Sequence, residues 1–157
     1  MTIWTPSLFG YPLTQILRNL WLGNCGDAAK LSVENPLGIV QVTNVCEEKY
    51  ETREGVNYSN YALKDGYEIP LEVFWTIVNQ GVKCYQSDEN TLVHCSAGMS
   101  RSPAIVASIF HVAKTMDFDA ALVFIKRRRP IIKPHHIILR SIRKHLKLFP
   151  YSEEWAK

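Results

Sequence analysis

The run His94-Cys95-Ser96-Ala97-Gly98-Met99-Ser100-Arg101-Ser102 places a thiol, a glycine and a guanidinium at spacings that suit an anion cradle with a nucleophile at its floor. It follows a β-type stretch, Asn90 to Val93, and leads into an apolar segment with Pro103 near its start, so a strand–loop–helix is predicted. A loop of this kind turns successive backbone N–H groups inward as a nest for an anion. The positive end of the helix behind it points at the same spot. Gly98 lets the backbone turn without a Cβ clash. Arg101 adds a planar fork that holds two oxygens at once, which a lysine does not. The expected phosphate-binding set is Ser96, Ala97, Gly98, Met99, Ser100 and Arg101. Average residue usage produces H-C-x-x-G-x-x-R-S by accident on the order of once in a hundred thousand chains of this length.

Such a cradle suits a tetrahedral dianion, and the chemistry it serves is attack of Cys95 on phosphorus to give a phosphocysteine. Helix N-termini and neighbouring cations lower a thiol's pKa from ~8.5 to ~3.5–7.5, which would make Cys95 a standing nucleophile. His94 is expected to work from behind, hydrogen-bonding the loop backbone rather than acting as the base. The departing oxygen needs a proton. Asp65, just past a strand in Tyr61-Ala62-Leu63-Lys64-Asp65-Gly66, is the choice for general acid in the first step and general base for water in the second; Asp27 and Glu68 are next in line. Ser102 is placed to hydrogen-bond the departing thiolate. Each residue has a plainer alternative: Cys95 a small buried hydrophobe, Asp65 an Asx turn beside Gly66, Ser102 a helix cap.

The elements that must position these residues are legible in outline. Leu17–Gly23 reads as a strand or hairpin, and Asn24 as the cap of a brief helix to Leu31. Gly38–Cys46 is apolar on both faces, as a buried parallel strand is; Val56–Ala62 alternates. A helix is expected from Pro70 to Tyr85, with Leu71, Phe74, Trp75 and Val78 on one stripe. Ser102–Lys114 reads as a central buried helix. Phe118–Arg128 and His135–Leu148 are two more, separated by Pro130 and Pro134. Together these predict one α/β domain over 1–157: a central, mostly parallel sheet of about five strands with helices on both faces, a core of about 14–149 and a short tail, 150–157.

Composition sets the remaining bounds. The chain has 157 residues, 46% hydrophobic and 21% charged, with a net charge of +3, ordinary for one globular domain. No stretch approaches the ~20 apolar residues of a membrane span, and the start lacks the pattern of a secretory signal. The cytoplasm is the expected compartment, with no membrane partner. Cys25, Cys46, Cys84 and Cys95 contain no C-x-x-C pair, so neither a disulfide framework nor a zinc site is expected. No metal or other cofactor is expected, and the chain is expected to be a monomer. Nine of the 18 basic residues fall between Lys126 and Lys147, while acidic residues gather at Glu47, Glu48, Glu51 and Glu54. The basic run reads as a solvated helix face or as a surface steering an anionic partner.

With Asp65, Cys95, Arg101 and Ser102 in this order, the chain resembles the cysteine-dependent protein tyrosine phosphatase superfamily, specifically its small dual-specificity type. Leu20-Trp21-Leu22-Gly23-Asn24 looks like that family's L-x-L-G-s signature, and Val42-Thr43-Asn44-Val45 like its v-l-N-v strand. Arg129-Pro130-Ile131-Ile132-Lys133-Pro134 is similar to its R-P-x-x-x-P segment. The resemblance implies a shallow cleft and metal-free hydrolysis of phosphotyrosine, and often of phosphoserine or phosphothreonine, in phosphoprotein substrates. It also implies catalysis by Cys95, Arg101 and Asp65. The family's Asn after Pro134 is replaced by His135, which leaves the bracing of the phosphate loop to His135 or another group. Cys46, in Asn44-Val45-Cys46, resembles the redox partner of related nucleophiles, which implies a disulfide with Cys95 under mild peroxide; the plainer alternative is a core cysteine. Two other readings stand beside this one: an RNA 5′-phosphatase or triphosphatase of the same fold, suggested by the basic C-terminal helices, and a non-catalytic phospho-residue-binding module.

Overall fold

A computed structural model describes residues 11–148; the tail assigned to 150–157 lies outside them. The strands are β1 (Thr14–Leu17), β2 (Leu20–Gly23), β3 (Gln41–Asn44), β4 (Asn57–Asn60) and β5 (Thr91–His94). The helices are α1 (Cys25–Ala29), followed by a 3₁₀ turn at Lys30–Ser32, then α2 (Leu71–Gln86), α3 (Arg101–Lys114), α4 (Phe118–Arg128) and α5 (His136–His145). The sheet runs β1-β2-β5-β3-β4, antiparallel at β1/β2 and parallel elsewhere. This is the expected mostly parallel five-stranded sheet, and the hairpin option for Leu17–Gly23 is realised with a bulge between Gln15 and Leu17.

The central strand, β5, is buried at all four positions, as a strand with parallel neighbours on both sides must be. Side chains alternate across a sheet. Leu92 joins Leu13, Ala28, Leu31, Ile39 and Val42 on one face, whereas Val93 and Cys95 join the core shared by α2 to α5 on the other. Helices therefore cover both faces unequally, four on one side and the short α1 on the other. The alternation sends Cys95 toward α3 and His94 toward the opposite layer.

Helix boundaries follow local chemistry. Asn24 caps α1 with Asp27 in a reciprocal capping box. Asp117 caps α4 through Ala120 N–H (3.1 Å). α3 is buried from Ser102 to Phe110 because α2, α4 and α5 enclose it. Gly81 allows α2 to approach closely, since a Cβ there would lie 2.3 Å from Ile109 Cδ1. One expectation needs correction. Leu71 is 53% exposed and does not belong to the α2 core stripe: it opens the helix, one turn ahead of the first fully covered positions. The stripe is Phe74, Ile77, Val78, Gly81 and Cys84. The last helix is also shorter than expected, ending at His145 rather than Leu148.

Candidate active site

The loop from Cys95 to Ser100 joins β5 to α3, with Cys95 2% exposed at its floor. Gly98 takes a φ of +66°, where side chains are disfavoured. It also packs hard against a neighbouring turn, since a Cβ there would stand 2.5 Å from Gly23 O and 2.5 Å from Arg129 Nη2. Ser102 is fully buried, and its hydroxyl lies 3.1 Å from Cys95 Sγ. No side-chain cap bond is made by Ser100, the N-cap residue of α3, and Ser102 sits inside the helix, so its hydroxyl serves the sulfur rather than a cap. Met99 forms the exposed lip of the loop.

Arg101 donates from Nη1 to Leu63 O (2.8 Å), which ties the phosphate loop to the segment carrying Asp65. Its Nε is buried and has no hydrogen-bond partner. A buried guanidinium N–H without an acceptor is costly, and an anionic oxygen is the kind of acceptor that suits this edge. Asp65 is exposed in the turn that Gly66 completes at φ +83°. It accepts from Ser100 Oγ (2.5 Å), and Ser100 Oγ accepts from His135 N–H (2.9 Å). The same turn is clamped to α5 through Ile69, whose N–H donates to Ser141 Oγ (2.9 Å). Asp27 is fully buried and holds Asn24 N–H (2.9 Å), which removes it as a substitute acid. Glu68 remains exposed.

His94 is fully buried, and burial lowers its pKa to about 4, so the ring is neutral. Its Nδ1–H donates to Cys95 O (3.1 Å), and the Tyr50 hydroxyl donates to Nε2 (2.5 Å). The histidine thus supports the backbone of Cys95 from behind.

The bracing expected of His135 is divided. Its backbone N–H holds Ser100, while its Nδ1 accepts from Ile137 N–H (3.1 Å) and caps α5. The main brace is Arg129, fully buried. It donates from Nε to Gly98 O (2.8 Å) and from Nη1 to Pro12 O and Thr14 Oγ1, both at 2.8 Å. Sequence reasoning placed Arg129 in a family segment without this role. The signal available was its place next to Pro130, at the end of a helix rather than on its solvent face.

Glu48 also went unassigned. Its carboxylate accepts from Ser96 Oγ in the phosphate loop. The Cys46 thiol and the Ser96 hydroxyl hold it ionised, with a pKa of about 2. Cys46 is buried at the end of the strand beside β5, its Sγ 3.0 Å from Asn44 Oδ1. Burial first, and then Glu48, pushes its thiol pKa up. All four cysteines are free thiols. Among the described residues no group of three or more His, Cys, Asp or Glu is arranged to hold a metal ion, and no helix is long and apolar enough to cross a membrane.

A strand–loop–helix with a thiol at the floor of a guanidinium-backed cradle, on a mostly parallel five-stranded sheet, defines the cysteine-dependent phosphatase class. Residues 20–147 match the model of the dual specificity phosphatase catalytic domain, and the chain belongs to that family. It is 29% identical over 130 residues to tyrosine-protein phosphatase vhp-1 of Caenorhabditis elegans, covering 80% of this chain and 20% of that protein. It is also 29% identical over 127 residues to dual specificity protein phosphatase 15 of Mus musculus, covering 80% and 54%. The chain therefore spans at most about half the length of these relatives. The crystal structure of DUSP15 superposes with a TM-score of 0.75 at 25% identity, covering 89% of this chain and 98% of that one. A human tyrosine phosphatase-like serine/threonine/tyrosine-interacting protein shares the fold, with a TM-score of 0.75 at 23% identity, covering 87% and 97%.

Proposed function

We propose that this chain is a metal-independent phosphomonoesterase that acts on phosphoproteins, hydrolysing phosphotyrosine and also phosphoserine or phosphothreonine. The observation that carries the reading is the pairing, in one loop, of Cys95 Sγ 3.1 Å from Ser102 Oγ with the unpartnered buried Nε of Arg101. Loop amides and Arg101 take the phosphate oxygens, which leaves phosphorus in line with the sulfur. Cys95 attacks, the S–P bond forms and the P–O bond to the substrate breaks. Asp65, aligned by Ser100, gives its proton to the leaving oxygen. Water then attacks phosphorus, Asp65 takes its proton, and the S–P bond breaks as Ser102 donates to the departing thiolate. Phosphate and the free enzyme result, and no oxidant or metal enters.

The test is hydrolysis of p-nitrophenyl phosphate and a phosphopeptide panel with chelator present. Cys95→Ser is expected to abolish turnover. Asp65→Asn is expected to slow it most for poor leaving groups and to flatten the alkaline limb of the rate profile. An inactive parent, together with phosphoprotein trapping by Cys95→Ser, would replace the enzyme with a binding module. Equal turnover of phosphotyrosine by Asp65→Asn would move the acid role, with Glu68 next.

A further inference from the structure

The solvent face of α5 carries His136, Arg140 and Lys144 at successive i, i+4 positions, with Lys133 exposed before the helix and Lys147 beyond it. At ~1.5 Å per residue the stripe from His136 to Lys144 is about 12 Å long, the reach of three to four extended residues. One end of it is fastened to the phosphate loop, because Lys133 N–H donates to Met99 O (2.6 Å) and His135 N–H to Ser100 Oγ (2.9 Å).

His136 stacks on His135, and Lys133, Arg140, Lys144 and Lys147 are not spent on ion pairs among the described residues. Among the described residues Arg18 pairs with Asp88 and Arg143 with Asp119. Arg143 is the buried cation of α5, and the exposed ones have no carboxylate partner there. Glu68 shares a groove with Lys144 and Lys147 without pairing to either. The opposite rim has the other sign. Glu48 holds Ser96 from a loop in which Glu47, Glu48, Glu51 and Glu54 outnumber Lys49 and Arg53. The field across the cradle thus runs from negative on the β3 side to positive on the α5 side.

Building on the phosphoprotein phosphatase reading above, we propose that the α5 face is a docking surface for an acidic stretch of the substrate on one side of the phosphorylated residue. Carboxylates on that side meet Arg140 and Lys144, and the same carboxylates turned the other way meet Glu48 and its neighbours. Charge therefore sets both preference and direction. A nucleic acid, anionic in both directions, meets the acidic rim whichever way it lies, so a protein segment fits better.

The test compares phosphotyrosine peptides flanked on one side by Asp, Asn or Lys runs, using the parent and the Arg140→Glu/Lys144→Glu chain, at low and high salt. Exposed pairs are individually weak, so the parent is expected to favour the Asp over the Asn peptide by about three- to tenfold, in KM and at low salt only. The charge-reversed chain is expected to lose that preference and gain on the Lys peptide, while its turnover of p-nitrophenyl phosphate matches the parent's. Gain on the Lys peptide shows that the variant is folded. Absence of the preference in the parent, or its survival in the variant, overturns the proposal. So does an effect confined to triphosphorylated RNA, or a preference that emerges only after Glu153→Gln/Glu154→Gln, which would make the chain's own tail the occupant. A parent that leaves p-nitrophenyl phosphate intact refutes the enzyme reading instead. Docking is then decided by fluorescence anisotropy of the Asp and Asn peptides on the parent.

Discussion

Gly98→Ala is a sharp test of how the cradle is held. The left-handed backbone at φ +66° costs a residue with a Cβ roughly 1–2 kcal/mol. The added methyl also lands 2.5 Å from Arg129 Nη2 and 2.5 Å from Gly23 O. The guanidinium is the end of a side chain, but the Gly23 carbonyl is backbone, held where β2 pairs with β5. Overpacking of this kind adds ~1–3 kcal/mol, for a total of about 2–5 kcal/mol. In a domain of this size that lowers the melting temperature by about 5–15 °C. The loop relieves the clash only by moving several tenths of an ångström or more, and a ~1 Å misplacement costs on the order of 100-fold in rate. The assay is kcat/KM for p-nitrophenyl phosphate at a temperature where the variant is folded, with urea unfolding alongside. Adding Arg129→Ala is expected not to rescue activity, because Gly23 remains in the way. Activity within threefold of the parent together with an unchanged urea midpoint would show that the loop accommodates the methyl and is not held by this contact.

Other outcomes follow from neighbouring contacts. Ser102→Ala removes the hydroxyl 3.1 Å from the sulfur, a hydrogen bond to a charged group worth ~1.5–3 kcal/mol. It is expected to slow intermediate hydrolysis about 10- to 150-fold, visible as a burst of nitrophenol; no burst and an unchanged kcat would count against that role. His94 is neutral in the fold, with a pKa of about 4 against 6.5 for the free side chain, so the unfolded chain binds its proton first. Stability is therefore lost as pH falls from ~6.5 to ~4, by up to about 3 kcal/mol, and this contribution levels off below that window. Urea midpoints across the range, in the parent and in His94→Gln, check it. Tyr50→Phe leaves Nε2 of His94 without its donor and is expected to cost ~1–3 kcal/mol in the same measurement. Peroxide is expected to oxidise Cys95 to the sulfenic acid, which the Cys46 sulfur attacks with release of water to form a disulfide. Peptide mapping that found only sulfinic or sulfonic acid at Cys95, or a Cys25–Cys95 bond, would reject this pairing.

The candidate loop was legible because it is local. Cys95, Gly98, Arg101 and Ser102 lie within one loop and one helical turn, and the strand and helix around them carry strong hydrophobic patterns. α4 was expected over Phe118–Arg128 and occupies that span, since Asp117 caps one end and Pro130 stops the other. What escaped reading depends on partners far along the chain. Lys126-Arg127-Arg128-Arg129 looks like one solvated cationic run, yet Arg129 turns inward where the helix ends. Tyr50 and Glu48 sat in a charged loop with no periodicity, and only the adjacency of β3 and β5 brings them to His94 and Ser96. Leu71 was assigned to the core by periodicity alone, which does not register that the first residue of a helix has less of the core around it.

The bonds from Arg129 to Pro12 O and Thr14 Oγ1 have a practical consequence for anyone trimming this protein. The family model begins at residue 20, and a gene fragment cut there would retain every residue of the proposed reaction. It would also strip two acceptors from the guanidinium that supports Gly98, so a shortened clone needs a start ahead of Pro12. Weak turnover from a shorter version would then reflect a missing edge strand rather than poor chemistry.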